Sequence, residues 1–418
     1  MFFLFSMRTL VGALIILAFG TANAAELLTL ESVQAAALES QPLVESQQAI
    51  VDAQRERAIA ASQLPDPELG IGVNELPVNT PDAWSFDRDS DTDVMVSIAQ
   101  TFSVGSKRRL RRLREERTTE AAEAQLQDIE RMIRRDAGLA FAEVLLRERE
   151  AELMGEQLKQ AGLQKRAAEI SVTTGGAPQS ELLAFSADES LLRDRLTEAR
   201  QMSTHARLEL ERWIGVSARQ PVDTTVRDAG VRPTLDEVLA DLPNHPALQA
   251  IDRARDAAEA GVDLAQQARK PDWRLEVGYG YRPEFSEMIT VRATVGLPIF
   301  PGQRQDRERA AARSDFKAAV ATRANLQREY ESRAALVHHD FTQFAQRARA
   351  LDAAAMPAAR QREQSAEAAY SGGRGSLSDV LAARQSRLDV ELRILELEVT
   401  ALKRAIELDY FVNPGAQP

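Results

Sequence analysis

The sequence predicts a mainly α-helical fold interrupted by two β-hairpins, and three observations carry that reading. Ala, Leu, Glu, Arg and Gln dominate most of the chain, the composition of long helices. Four short segments instead alternate apolar with polar or small residues at a period of two, as a strand with two unlike faces does. The whole order of segments then occurs twice.

The duplication is read from matching motifs. TLESV (29–33) recurs as TLDEV (234–238), and QPLVESQQAI (41–50), with Pro42, aligns with HPALQAIDRA (245–254), with Pro246. LPDPELGIGV (64–73) answers to KPDWRLEVGY (270–279), TTGGAP (173–178) to YSGGRGS (370–376), and ERWIGV (211–216) to LDYFVN (408–413). The repeats span 25–220 and 221–413, between an N-terminal leader at 1–24 and a tail at 414–418.

The elements follow in order. Arg8 precedes an apolar run over 10–19, and Ala22-Asn23-Ala24 supplies small residues before a cleavage point after Ala24; this reads as a secretory signal peptide. The run is shorter than the ~20 residues of a spanning helix. Each repeat then opens with a helix of roughly three dozen residues (30–63; 235–268) that ends at a Pro-Asp turn. Strands are predicted at 68–76 and 93–103, and again at 273–281 and 288–298. The first hairpin loop is long and carries Asp82, Asp87, Asp89, Asp91 and Asp93, whereas 282–287 is short. Gly105 and Gly302 precede helices over 107–172 and 304–370, each about 100 Å long at 1.5 Å per residue. Pro357 is expected to bend the second. Gly-Gly pairs stop both helices, and return helices follow over 180–214 and 377–410.

Composition limits what this architecture can do. The chain has no Cys, hence no disulfide, no thiol chemistry and no Cys-borne lipid. A net charge of −11 argues against nucleic acid and against a polybasic membrane anchor. Aromatic residues are only 5%, which suits helices sharing thin seams better than one large core. No segment after residue 24 resembles a transmembrane helix, so entry into a membrane requires strands.

The strands suit that role. Trp273, Leu275, Val277, Tyr279 and Tyr281 share one face, and Arg274, Glu276, Gly278 and Gly280 the other. Val94, Val96, Ile98 and Phe102 oppose Met95, Ser97, Ala99 and Thr101; Ile289, Val291, Ala293, Val295 and Leu297 oppose Met288, Thr290, Arg292, Thr294 and Gly296. Such a strand belongs either to a sheet packed on a soluble core or to a barrel with lipid outside and a wet lumen. The apolar positions of the helices are matched by those of other helices, which favours the barrel. Nine or ten residues tilted by about 40° span ~25 Å, the height of an outer-membrane apolar band. Four strands cannot close a barrel, so three copies are expected to contribute twelve. The long helices, with small residues at their seams as in EAAEAQ (120–125) and RAAARSDFKAAVATRA (309–324), would form a hollow α-barrel in register with it. The expected product is a conduit.

In its tandem repeats of helix, strand hairpin, long helix, Gly turn and helix behind a signal peptide, the chain resembles the TolC-like outer-membrane efflux factors. The resemblance implies a homotrimer in the outer membrane of a Gram-negative bacterium, with a periplasmic α-barrel that meets an adaptor (membrane fusion) protein and an inner-membrane RND-type pump. LPDPELGIGVNELPV (64–78), WSFDRDSDTDVMVSIAQTF (84–102) and GSKRRLRR (105–112) are similar to the branch that serves heavy-metal exporters. The chain departs from that branch in SVGSKR (103–108), which lacks its prolines, and in having no N-terminal Cys. An organic-drug or type I secretion duct of the same family is the alternative. The resemblance also implies an acidic pore ring at the periplasmic tip, at Asp379, although the family's second Asp is here Ala382. By residue chemistry alone Asp379 would equally stabilise the positive start of its helix. The tip turns at Gly175-Gly176 and Gly372-Gly373-Arg374-Gly375 match the family's adaptor-docking region, and are also ordinary turn sequences.

No catalytic, cofactor or resident metal site is expected. His338-His339-Asp340 are adjacent on a helix and point about 100° apart, which makes them poor joint ligands. His205 stands alone, and His245 precedes Pro246 in a turn. The acidic loop lacks EF-hand spacing, and no P-loop or Gly-x-Ser-x-Gly motif occurs. Outside the duct class, a periplasmic coiled-coil adaptor shares the long helices but has no use for four strands with apolar outer faces.

Overall fold

Thr29 caps the first helix, α1 (Leu30–Ser40), in a capping box with Ser32, and Thr234 does the same with Glu237 for α5 (Leu235–Asp241) at the start of the second repeat. The computed structural model describes residues 27–176, 178–224 and 232–412. The signal peptide expected at 1–24 and the tail at 414–418 lie outside the described residues.

The opening helix of each repeat is broken, where the sequence suggested one rod. In the first, α1 stops at Ser40 and α2 (Pro42–Ala61) restarts at Pro42; Gln41 between them is extended, with φ −89° and ψ 115°. In the second, a 3-10 turn (Leu242–Asn244) and an extended His245 separate α5 from α6 (Pro246–Gln267). Proline is the cause, because it has no N–H to continue the ladder and forces the preceding residue out of the helical region. The freed side chain does the same work twice. Gln41 Nε2 donates to the carbonyls of Arg212 and Trp213, both at 3.0 Å, and His245 Nε2 lies 2.9 Å from the carbonyl of Tyr410. Each ties the break to the last turn of the repeat's return helix, whose carbonyls have no partner within that helix.

The strands are β1 (Glu68–Asn74), β2 (Asp93–Phe102), β3 (Trp273–Tyr281) and β4 (Met288–Val295). They form one antiparallel sheet in the order β1-β2-β3-β4, so the two repeats join through β2 and β3. Three strands end earlier than the alternation suggested, β2 by one residue and β1 and β4 by two and three. Past Asn74 the backbone turns at Glu75, with φ 52°, and past Val295 the sequence reaches Pro298, which cannot donate to a ladder.

Beyond the sheet, α3 (Gly105–Thr173) runs 69 residues without a break and returns as α4 (Gln179–Ile214). Its counterpart is divided into α7 (Gln305–Ala350), a π turn (Leu351–Ala355) and α8 (Met356–Ser371), followed by α9 (Leu377–Phe411). The bend expected at Pro357 takes the form of that π turn, which accommodates the missing N–H and the crowding of the proline ring against the preceding turn. Packing is concentrated in seams. Val33, Ala37, Phe141, Val144, Leu145, Leu210, Val399 and Ile406 bury a core among α1, α3, α4 and α9. Val238, Leu242, Leu248, Ala334 and Phe411 bury a smaller one among α5, α6, α7 and α9. Among the described residues no helix makes an extended contact with the sheet.

Candidate functional site

The register sorts the four strands into lateral rows that alternate in character. Ile71, Val96, Tyr279 and Ile289 form one row across the sheet; Leu69, Ile98, Val277 and Val291 form another; Phe102, Trp273 and Val295 form the last. These rows lie on one face, left uncovered by the described residues: Ile71 and Ile289 are each 75% exposed. Aromatic residues mark both ends of the band. Tyr279 and Tyr281 stand at one end, and the hairpin loops beyond that end carry the exposed Trp84, Phe86 and Phe285. Phe102 and Trp273 stack at the other, with ring centroids 5.2 Å apart. From Tyr281 to Trp273 the strand climbs about 20 Å once tilted by ~40°.

The opposite face is small, polar and charged. Its rows are Gly72, Met95, Gly280 and Met288; Gly70, Ser97, Gly278 and Thr290; and Glu68, Ala99, Glu276 and Arg292. Ser97, Ala99, Gly278 and Gly280 are buried there although no helix packs on them, as on the concave side of a curved wall. A Cβ on Gly278 would stand 2.9 Å from Met95 Sδ, so the large side chains of this face lie over its glycines. Arg274 pairs with Glu68 at 2.8 Å and Arg292 with Glu276 at 3.7 Å. Both outer strands, β1 and β4, have one edge without a partner among the described residues. Among the described residues the sheet thus has one apolar face, one small and charged face, and two open edges.

The far ends of the helices form two tight turns. Gly175 and Gly373 have φ of 75° and 67°, a left-handed conformation that glycine adopts without strain. Gly176 N donates to Ser171 O at 2.8 Å, and Arg374 N to Ala369 O at 2.9 Å, each closing a Schellman motif. Gly372 and Gly375 flank the second turn, where Gly375 N also donates to Ala369 O at 3.0 Å. Asp379 is exposed and sits at the third position of α9. Ser376 Oγ and Ser376 N both donate to its carboxylate, at 2.6 and 3.3 Å, and hold it below the ordinary range for an aspartate. Asp379 is thus a helix-capping residue within its own chain.

Other charged groups are not legible as a site in the sequence and are brought together only by the fold. Arg384 (4% exposed) lies 3.6 Å from Glu363 and 3.3 Å from Glu367, and Arg387 lies 2.5 Å from Glu363 and 2.7 Å from Glu391. The pairs with Glu363 and Glu367 fasten α8 to α9, and Arg387–Glu391 lies within α9. His245 is a structural centre rather than a loop residue. Its Nδ1 accepts from Ala247 N at 3.2 Å as the cap of α6, which leaves Nε2 to donate to Tyr410 O. Tyr410 Oη donates to Asp128 at 2.8 Å, and Tyr330 Oη lies 3.0 Å from Tyr410 Oη. Burial pushes the imidazole down to about 4, aided by the nearby Arg131 charge.

His338 and His339 remain on a helix whose next residue, Asp340, pairs with Arg404 at 3.4 Å. Among the described residues no group of three or more His, Cys, Asp or Glu side chains is placed to hold a metal ion. Among the same residues no helix is long and apolar enough to cross a membrane.

No protein-family model matches the sequence, and no curated protein is similar to it. Solved structures are similar in fold. CusC, described for transmembrane channel formation, superposes with a TM-score of 0.74 over 91% of both chains at 14% identity. A membrane protein from Pseudomonas aeruginosa gives 0.77 over 92% of both chains at 14% identity. The outer membrane protein VceC from Vibrio cholerae gives 0.71 over 91% of this chain and 94% of its own, at 19% identity. The chain has the fold of these proteins, the TolC-like arrangement of long helical hairpins joined to strand hairpins.

Proposed function

We propose that this chain is one third of an outer-membrane exit duct, a homotrimer that conducts substrate passively from the periplasmic side to the exterior of a Gram-negative cell. The observation that carries this reading is the sheet: four strands with an uncovered apolar face, a small and charged face, and two unpaired edges. Unpaired strand edges cost several kcal/mol per group in lipid, and three copies joining β1 to β4 remove all of them in a twelve-stranded barrel. The lumen would then be lined by the Glu68, Arg274, Glu276 and Arg292 face, and the helical hairpins would extend it through the periplasm. Free energy enters at a pump, so the duct itself needs no catalytic group. Fractionation and chemical cross-linking test the proposal together. Trimers in the outer-membrane fraction are expected, and a monomer in the periplasmic fraction, as an adaptor or scaffold would give, contradicts it.

The partners that follow are a periplasmic adaptor, docked at the turns around Gly175-Gly176 and Gly372–Gly375, and an RND-type pump in the inner membrane. The resemblance of segments 64–78, 84–102 and 105–112 to the heavy-metal branch favours a heavy-metal cation as cargo over an organic compound or an exported protein. Deleting the gene is therefore expected to sensitise the cell to heavy-metal salts, with hydrophobic drugs unaffected; the reverse pattern reassigns the cargo. Three copies of Asp379 around the axis would narrow the tip electrostatically. Replacing Asp379 by Asn is expected to raise single-channel conductance in a planar bilayer, whereas unchanged conductance leaves the residue as a helix cap only.

A further inference from the structure

Six cations open α3 before its first carboxylate: Lys107, Arg108, Arg109, Arg111, Arg112 and Arg114, then Glu115. Helix formation does not explain them. The start of a helix carries partial positive charge and favours acidic residues, and α5, α7 and α9 each place Asp or Glu in their first turn. α3 has none there. A local rule broken this strongly points to a partner outside the helix.

Part of the charge is used within the chain. Lys107 is buried against Asp272 at 3.1 Å, and Arg112 and Arg114 reach Glu116 and Glu115, both at 2.7 Å from exposed positions. Arg109 and Arg111 have no ion pair among the described residues, and Arg109 lies exposed. The position of the run is informative. It begins just past Phe102, at the end of the sheet where Phe102 and Trp273 stack. Beyond the β4 end of the same row, Leu297, Ile299 and Phe300 are 70–72% exposed, and Arg304 and Arg307 follow them in exposed positions. Apolar strands, an aromatic girdle, an exposed apolar turn and then arginines follow one another. That is the sequence of environments from acyl chain to headgroup.

We propose that Arg109 and Arg112, which share the exposed side of α3, with Arg304 and Arg307 across the sheet end, form a cationic collar that binds the phosphates of anionic phospholipids in the leaflet next to the helical half. The inference rests on the outer-membrane reading. The long arginine stems cover the apolar turn while the guanidinium groups reach the headgroup plane, and bidentate pairing with phosphate suits arginine. The overall charge of −11 conceals this, because a whole-chain sum averages a local run against acids elsewhere.

The test uses the purified full-length protein, reconstituted in vesicles of phosphatidylcholine with and without phosphatidylglycerol and re-extracted for native mass spectrometry. Wild type is expected to retain phosphatidylglycerol preferentially. The preference should fall about fivefold for each arginine changed in the series R109Q and R112Q. The charge-preserving set R109K and R112K should keep most of it, and changing the exposed Arg166, Arg200 and Arg360 on the helical body should not alter it. Equal retention of both lipids by an inserted wild type overturns the proposal. So does a glutamine set with unchanged lipid retention but altered ion selectivity, since its arginines then line the lumen. Failure of wild type to insert into either vesicle overturns the outer-membrane reading, and the collar with it.

Discussion

Replacing Leu69 by Lys is expected to abolish assembly into the outer membrane, whereas replacing Thr290 by Lys is not. The two positions lie in adjacent rows near the middle of the same sheet and differ in the face they present. Leu69 is 71% exposed and lies in the middle row of the apolar face, with Ile98, Val277 and Val291. A Lys facing lipid at the midplane of a barrel costs about 2–4 kcal/mol. In a trimer that penalty is incurred three times, about 6–12 kcal/mol in all, comparable to the whole stability of a typical fold. Thr290 shares its row with Gly70, Ser97 and Gly278, where a long cationic side chain finds water and space. The check is the amount of heat-modifiable trimer that sediments with outer membranes. Leu69→Lys should reduce it at least tenfold, and Thr290→Lys should leave it within about twofold of wild type.

The second large effect belongs to His245. Its Nδ1 caps α6, its Nε2 binds the carbonyl of Tyr410, and its ring packs on Tyr330, Tyr410 and Phe411 at centroid distances of 5.1, 4.7 and 6.2 Å. His245→Ala removes the cap, the hydrogen bond and the packing together, for an expected loss of about 2–4 kcal/mol. His245→Gln should be milder, at about 1 kcal/mol, because Gln41 already makes the equivalent bond to Trp213 in the first repeat. The wild-type residue also brings a pH dependence with a definite sign. Folding holds the imidazole neutral down to about 4, while the unfolded chain takes up a proton near 6.5. The contribution is therefore complete above about pH 6.5 and is lost as pH falls from there towards 4. At about 1.4 kcal/mol per pH unit it amounts to about 3 kcal/mol. The facing charges have opposite effects, Arg131 lowering and Asp241 raising the imidazole's affinity for a proton. Urea midpoints measured at pH 7.5 and pH 4.5 should differ for wild type and differ much less for His245→Gln. Equal pH sensitivity in the two proteins would remove the imidazole as its source.

Much of this architecture is legible in the sequence because it is local. Period-two alternation sorts the residues of β2, β3 and β4 onto their faces, and glycine pairs mark where α3 and α8 end. Repeat matching pairs Pro42 with Pro246, yet the local pattern reads as unbroken helix through both prolines. Proline makes the break, and what fixes its geometry is the long-range bond that Gln41 and His245 make to a return helix about 170 residues away. No local pattern encodes that bond, although a polar residue stands before proline in both repeats. The π turn has the same origin, since Pro357 signals a disturbance without specifying its geometry. Asp379 is legible in both of its readings, and the capping geometry with Ser376 is the one contained within a single chain. The arginine run is plain in the sequence, but net charge is a global number that hides position. Its significance emerges only where the fold sets the end of the sheet, the exposed Leu297, Ile299 and Phe300, and the start of α3 side by side.

In the proposed duct the two faces of one sheet meet two different solvents, and the chain lends itself to a direct test because it contains no Cys. Single cysteines at Leu69, Ile71, Ile98 and Val291, and at Ser97, Glu276, Thr290 and Arg292, can carry an environment-sensitive fluorophore in the reconstituted protein. The first set should be quenched by spin-labelled acyl chains and resist an aqueous quencher, with the second set showing the opposite response, so that quenching alternates residue by residue along each strand. Aqueous quenching of both sets, or protection of the first set without any contact with lipid, would contradict the account.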